Sequence, residues 1–210
     1  DDELMLFSGT ANLPLAQKVA EYLKRPLNKI DIKHFPDGET FCQVQEGVRG
    51  RDVFVIQSGS PMPNEAYMEL FVIMDALKRG SAARITAVVP YYGYARQDRK
   101  DQPRVPITAR LVANLLEAAG ADRVLTMDLH ANQIQGFFDI PLDHLHAEPV
   151  ILKYIRSCNF SKPIVVAPDA GGAKTAYGYS RKLGTGLAIV AKQRMGDSDV
   201  DAFSVVGDVD

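Results

Sequence analysis

The sequence predicts an α/β fold of two doubly wound units with mainly parallel sheets, the second of them incomplete. Three observations carry this expectation. Short β-branched apolar runs alternate with stretches of helical periodicity, the alternation begins again after Pro149, and too few elements follow to cover both faces of a second sheet.

In chain order, Leu4 to Phe7 reads as a strand, Leu13 to Leu23 as a helix, and Ile30 to Lys33 and Asp52 to Gln57 as strands. A helix follows over about Asn64 to Arg79, where Tyr67, Phe71, Met74 and Leu77 recur at three- and four-residue spacing. The strand Ile85 to Val89, a polar loop from Pro90 to Pro106, a helix over Thr108 to Ala119 and the strand Val124 to Met127 complete the first unit, taken as residues 1–147. Residues 148–210 open the second, with a helix near Val150 to Ile155, a strand Ile164 to Ala167, a helix from Lys174 to Leu183, and strands near Leu187 to Ala191 and Phe203 to Val206. The apolar run Phe137 to Leu145 reads equally as core or as an assembly surface.

The formal net charge is −2 and no long basic run occurs, which argues against a nucleic-acid surface and leaves small molecules or other subunits as partners. Cys42 and Cys158 are the only cysteines, too far apart for a zinc spacing or a disulfide framework. No apolar stretch approaches a membrane span and no secretory start is present, so a reducing, cytoplasmic compartment is expected. The start at Asp1 rather than Met, and the stop at Asp210 just after a strand-like run, lead to the expectation that residues are missing from at least one end.

Ligands of open α/β sheets bind beyond the carboxyl ends of the strands, and five such loops are polar. Phe35-Pro36-Asp37-Gly38-Glu39 offers an aromatic face and two carboxylates for a base, but Pro-Asp-Gly is also a plain turn signal. Tyr91 to Asp101 carries Arg96, Arg99 and Lys100, a phosphate grip that could close over a polyphosphate, or else a solvated loop. Asp128-Leu129-His130 puts a carboxylate and an imidazole on one side of an extended segment, a weak metal signal beside the commoner structural histidine. Asp169-Ala170-Gly171-Gly172 opens a helix, and fits phosphate and magnesium or a simple capping turn. Lys192 and Arg194 stand two residues apart before a loop-like stretch from Met195 to Asp201, able to grip one developing charge or merely to be solvated. Each loop alone is ambiguous. Together they assemble what phosphoryl transfer needs, a positioned nucleotide, a hard metal and neutralising cations, while no Walker sequence, kinase glycine loop or dinucleotide fingerprint is present.

At these residues the sequence closely resembles the ribose-phosphate pyrophosphokinase (PRPP synthetase) family, in FPDGE at Phe35 to Glu39, PYYGYARQDRK at Pro90 to Lys100 and LTMDLHANQIQGFFDIPLDHL at Leu125 to Leu145. SGTANLPLAQKVA, NEAYMELFVIMDALKR and ITARLVANLLEAAGADRV extend the likeness over nearly the whole chain. The resemblance implies two phosphoribosyltransferase-like domains and magnesium-dependent transfer of the β,γ-diphosphoryl group of ATP to the 1-hydroxyl of ribose 5-phosphate, giving PRPP and AMP. It implies that Phe35, Asp37, Gly38 and Glu39 hold the base and ribose of ATP, and that Arg96 and Gln97 belong to a loop closing on the nucleotide. His130 and Asp169 would each meet magnesium, with Asp128 a weaker ligand, and Lys192 and Arg194 would be catalytic, Arg194 also touching ribose 5-phosphate. Homodimers built into hexamers, with inorganic phosphate as an activator, are implied as well. Two departures stand out. The family's Asp-Asp-x-x-x-Thr-x-Gly-Thr loop has no counterpart, the one Asp-Asp pair being Asp1-Asp2, so the chain is expected to end before its ribose-phosphate site. Gln193 and Ala170 stand where the family more often has Arg and Val. Two further readings are a non-catalytic associated subunit and an ordinary phosphoribosyltransferase. Retention of Lys192, Arg194, His130 and Asp169 speaks against the first, and the tandem units with an ATP-type loop at Phe35 against the second.

Overall fold

The computed structural model describes residues 4–194 and 200–207, with side chains for all of these except 191–194 and 200–203. The chain divides into two units, residues 1–145 and 146–210.

The first unit is built on a parallel sheet of five strands. These are β1 (Leu4–Ser8), β4 (Asp52–Ile56), β5 (Arg84–Val89), β6 (Arg123–Met127) and β7 (Leu142–Leu145), adjacent in that order. Helix α1 (Leu13–Leu23) starts where the Asn12 side chain accepts from Leu15 N–H at 3.2 Å, with Pro14 in the first turn, and stops at Lys24 in the left-handed region. Helix α2 (Pro63–Arg79) has Glu65 in its first turn and Lys78 and Arg79 in its last, matching the helix dipole. Helix α3 (Thr108–Ala119) ends at Gly120, whose φ of 113° suits glycine.

Both sheet faces are covered. Leu70, Ile73, Met74 and Leu77 of α2 and Ala109, Val112, Ala113 and Leu116 of α3 pack on Phe7, Val53, Val55, Ala87, Val89 and Val124. Ala16 and Ala20 of α1 pack on Leu6 and Ile56 from the opposite side. Each large side chain removed from water here contributes about 1.5–3 kcal/mol, which makes the α2 face the main anchor of the unit.

The second strand departs from the expected βαβ pattern. β2 (Ile30–His34) stays out of the main sheet and pairs antiparallel with β3 (Thr40–Val44), a strand that the periodicity did not mark. The turn signal of residues 35–39 won over the crossover, because five residues can close a hairpin but not a parallel connection. In the Phe137 to Leu145 run, Phe138 is buried, Ile140 and Leu142 pack against the core, and residues 142–145 form β7, whose last residue Leu145 is exposed.

The second unit holds α4 (Glu148–Ser157), β8 (Ile164–Ala167), α5 (Ala173–Leu183), β9 (Gly186–Arg194) and β10 (Val200–Gly207). β8 and β9 are parallel, but β10 returns antiparallel on β9, again because the link between them is too short for a crossover. Val150, Tyr154, Phe160 and Tyr177 remain exposed, as expected of a sheet with too few elements around it. No helix among the described residues is long and apolar enough to cross a membrane.

Candidate functional site

The loop after β5 is fastened by alternate aromatic residues. Tyr92 and Ala95 are buried in the core, and the Tyr92 ring meets Phe138 edge-on at 5.8 Å. The Tyr92 hydroxyl donates to the Ala109 carbonyl at 3.0 Å, the Tyr67 hydroxyl donates to the Gly93 carbonyl at 3.2 Å, and the Tyr94 hydroxyl donates to Asn64. Burial pushes both the Tyr67 and Tyr92 phenols up from their ordinary range, so each stays a neutral donor. With these residues turned inward, Arg96 and Gln97 face out. Gln97 is itself tied to the start of α3: its carbonyl accepts from Ala109 N–H at 3.1 Å and its side-chain oxygen accepts from the Thr108 hydroxyl. Arg96 and Gln97 therefore sit on the fastened first half of the loop.

Beyond β6 the chain turns sharply at Asp128, with φ 44°, a conformation that Asp tolerates better than most residues. Leu129 packs inward, and Asp128 and His130 are exposed. Leu129 N–H donates to Nε2 of His144 at 2.9 Å, so a residue of β7 that no motif singled out supports this turn.

These two loops meet. Arg96, Gln97, Asp98, Arg99, Asp101, His130 and Gln133 line one cavity of about 510 Å³ beyond the carboxyl ends of β5 and β6. Gln133 Nε2 donates to the Asp98 carboxylate at 3.2 Å. The cavity thus combines two forked cations with acceptors and an imidazole, a setting that suits a phosphorylated ligand bearing a cation. Arg99 and Asp101 were visible within the polar loop Tyr91 to Asp101, whereas Gln133 and Thr108 lie inside strings that resemble the family's but were not singled out, and join the site through the fold.

The hairpin tip is separate from this wall. Gly38 adopts φ 93°, Gly38 N–H donates to Phe35 O at 2.9 Å, and an Asp37 oxygen accepts from Glu39 N–H at 3.1 Å. The turn reading of these residues is therefore realised in full. Phe35 is half exposed and makes a T-shaped contact with Phe41, ring centroids 6.1 Å apart, and Glu39 is exposed.

In the second unit, Asp169 caps the short 3-10 turn Ala170–Gly172 by accepting from Gly172 N–H at 2.9 Å, and remains exposed. Capping uses one carboxylate oxygen, Oδ1. The backbone of Lys192 and Arg194 belongs to β9, while their side chains, and residues 195–199 of the expected loop, lie outside the described residues.

Among the described residues no three His, Cys, Asp or Glu side chains converge to cage a metal. The donors that do stand by the cavity, Asp98, Asp101 and His130 with Asp128 beside it, fit magnesium, which keeps several waters and binds through one or two protein groups plus substrate phosphates rather than in an all-protein cage.

A parallel α/β unit gathers cations, carboxylates and an imidazole beyond its strand ends, where open α/β sheets take their ligands. The family model described as the N-terminal domain of ribose phosphate pyrophosphokinase matches residues 4–120. A ribose-phosphate pyrophosphokinase of Rhodopirellula baltica is 54% identical over 98% of this chain and 66% of its own length. One of Fusobacterium nucleatum is 50% identical over 100% of this chain and 67% of its own. The crystal structure of phosphoribosylpyrophosphate synthetase from Mycobacterium smegmatis superposes with a TM-score of 0.90 at 46% identity, covering 99% of this chain and 68% of that one. The chain belongs to the ribose-phosphate pyrophosphokinase family. It spans about two thirds of the length of these relatives, 66% and 67% for the first two.

Proposed function

We propose that this chain binds magnesium-ATP at the cavity of the first unit, as part of an enzyme that transfers the β,γ-diphosphoryl group of ATP to the 1-hydroxyl of ribose 5-phosphate, giving PRPP and AMP. The observation that carries the proposal is the convergence of Arg96, Gln97 and His130, from separate loops, on one cavity. The relatives' names support the reaction.

In this reading the Arg96 and Arg99 guanidinium groups take phosphate oxygens in bidentate fashion, and Gln97, held by Thr108, presents its amide to the nucleotide. His130 would meet one magnesium, with Asp128 a weaker ligand, and Asp169 another, and magnesium when bound neutralises charge on the diphosphoryl group. Lys192 and Arg194 stabilise charge as it develops on that group, and Arg194 also contacts ribose 5-phosphate. Phe35 stacks on adenine while Asp37, Gly38 and Glu39 contact adenosine. The family resemblance supports a homo-oligomer of dimers forming a hexamer, activated by inorganic phosphate. A cytoplasmic setting agrees with Cys42 and Cys158 being unpaired thiols.

Calorimetry with a non-hydrolysable ATP analogue and magnesium tests the core of the proposal. Saturable binding is expected from the folded chain. Absence of heat at millimolar nucleotide refutes it.

A further inference from the structure

Hydrogen bonding at the end of β6 leaves one backbone group that the sheet cannot serve. Thr126 and Met127 pair with His144 and Leu145 of β7, and Asp128 N–H donates to Leu145 O at 3.0 Å as the last rung. Asp128 then turns the chain out of the strand direction at φ 44°. The next N–H, on Leu129, is beyond the ladder, and the residue is only 9% exposed. A buried N–H must find an acceptor. It finds Nε2 of the His144 ring at 2.9 Å.

An amide N–H can only donate, so Nε2 carries no proton and the neutral ring keeps its proton on Nδ1. Leu129 is thereby pinned twice, its side chain in the core and its N–H on the imidazole. His130 follows directly, exposed and on the cavity wall. With its predecessor held at both ends, the direction in which the His130 ring leaves the chain is set by the turn.

We propose that His144 is a positioning residue for the Asp128-Leu129-His130 turn, holding the Leu129 N–H so that the His130 imidazole faces the cavity. The hold on the turn stands on geometry alone, and its effect on ligand binding rests on the function proposed above. The competing role, a core histidine that only adds stability, would leave the His130 ring indifferent to the loss of His144.

The test is NMR on the isotope-labelled chain with His144→Leu, which removes the acceptor, and His144→Gln, whose side-chain oxygen restores one. A scalar coupling between the Leu129 amide nitrogen and His144 Nε2 is expected in the wild type. In His144→Leu the Leu129 amide should exchange about tenfold faster or more, as an amide deprived of its buried acceptor does, and the His130 ring signals should shift. His144→Gln should bring both back toward wild type, and affinity for the magnesium-ATP analogue should fall and recover in parallel. Unchanged Leu129 exchange and His130 signals in a folded His144→Leu overturn the proposal, as does a wild type with no coupling. Should His144→Leu not fold, His144→Gln decides: wild-type-like His130 signals support the role, and signals displaced despite a slow Leu129 amide overturn it. A wild type that binds no nucleotide defeats the proposed function, while the Leu129 and His130 readings still decide the role of His144.

Discussion

Replacing Gly59 by Ala should loosen the site through contact alone. Gly59 lies between β4 and α2, and its N–H donates to Tyr91 O at 2.9 Å. A Cβ there would stand 2.7 Å from both Gly93 N and Tyr91 O and 2.9 Å from the Tyr67 hydroxyl. Two of these neighbours are backbone, so no side-chain rotation relieves them. Residues 91–93 must retreat by roughly 0.7 Å to reach ordinary contact, which breaks the 2.9 Å hydrogen bond. Overpacking costs about 1–3 kcal/mol and the lost bond about 0.5–1.5 kcal/mol, together about 1.5–4.5 kcal/mol. At roughly 2–4 °C per kcal/mol for a chain of this size, the thermal midpoint should fall by about 3–18 °C. Because the displaced segment leads straight to Arg96 and Gln97, nucleotide affinity should fall with it. Scanning calorimetry and ligand titration measure both, with Gly47→Ala as the control, since a Cβ at Gly47 meets nothing within 4 Å. A midpoint within about 2 °C of wild type would show that the two loops are not locked by this approach.

The Glu69 carboxylate, 3% exposed, accepts from Thr10 N–H at 2.6 Å, the Thr10 hydroxyl at 2.7 Å and Gln57 Nε2 at 2.7 Å. Glu69→Gln turns one acceptor into a donor facing donors, and urea unfolding should report a loss of about 1–3 kcal/mol. Burial, then the nearby Glu69 charge, pushes the Cys42 thiol up to about 11. Unfolded Cys42 ionises near 9, so this contribution to stability is whole below pH 9 and is lost as pH rises toward 11, and alkylation rates of Cys42 in the folded chain should climb only in that window. In a version extended to the relatives' length, Lys192→Ala should lower turnover roughly a hundred- to a thousandfold with ATP affinity nearly unchanged. Phe35→Ala should instead weaken nucleotide binding first, because stacking precedes chemistry, and the reverse pattern in steady-state kinetics would undo both assignments.

Local pattern alone determined the parallel strands other than β7, helices α1 to α3 and the polar loops beyond β5 and β6, because apolar spacing and the caps at Asn12 and Gly120 act within a few residues. The family was legible for the same reason, in long contiguous strings such as residues 90–100. The tertiary structure alone decided that β2 leaves the main sheet for a hairpin, that Phe138 belongs to the core, and that Arg96 and Gln97 stand on a fastened segment. It also recruited Thr108, Gln133 and His144, residues whose partners are 11, 35 and 15 positions away. No periodicity records such pairs. A hydrogen bond between side chains brought together by sheet order depends on register and crossover, which are properties of the packed chain and not of any stretch of it.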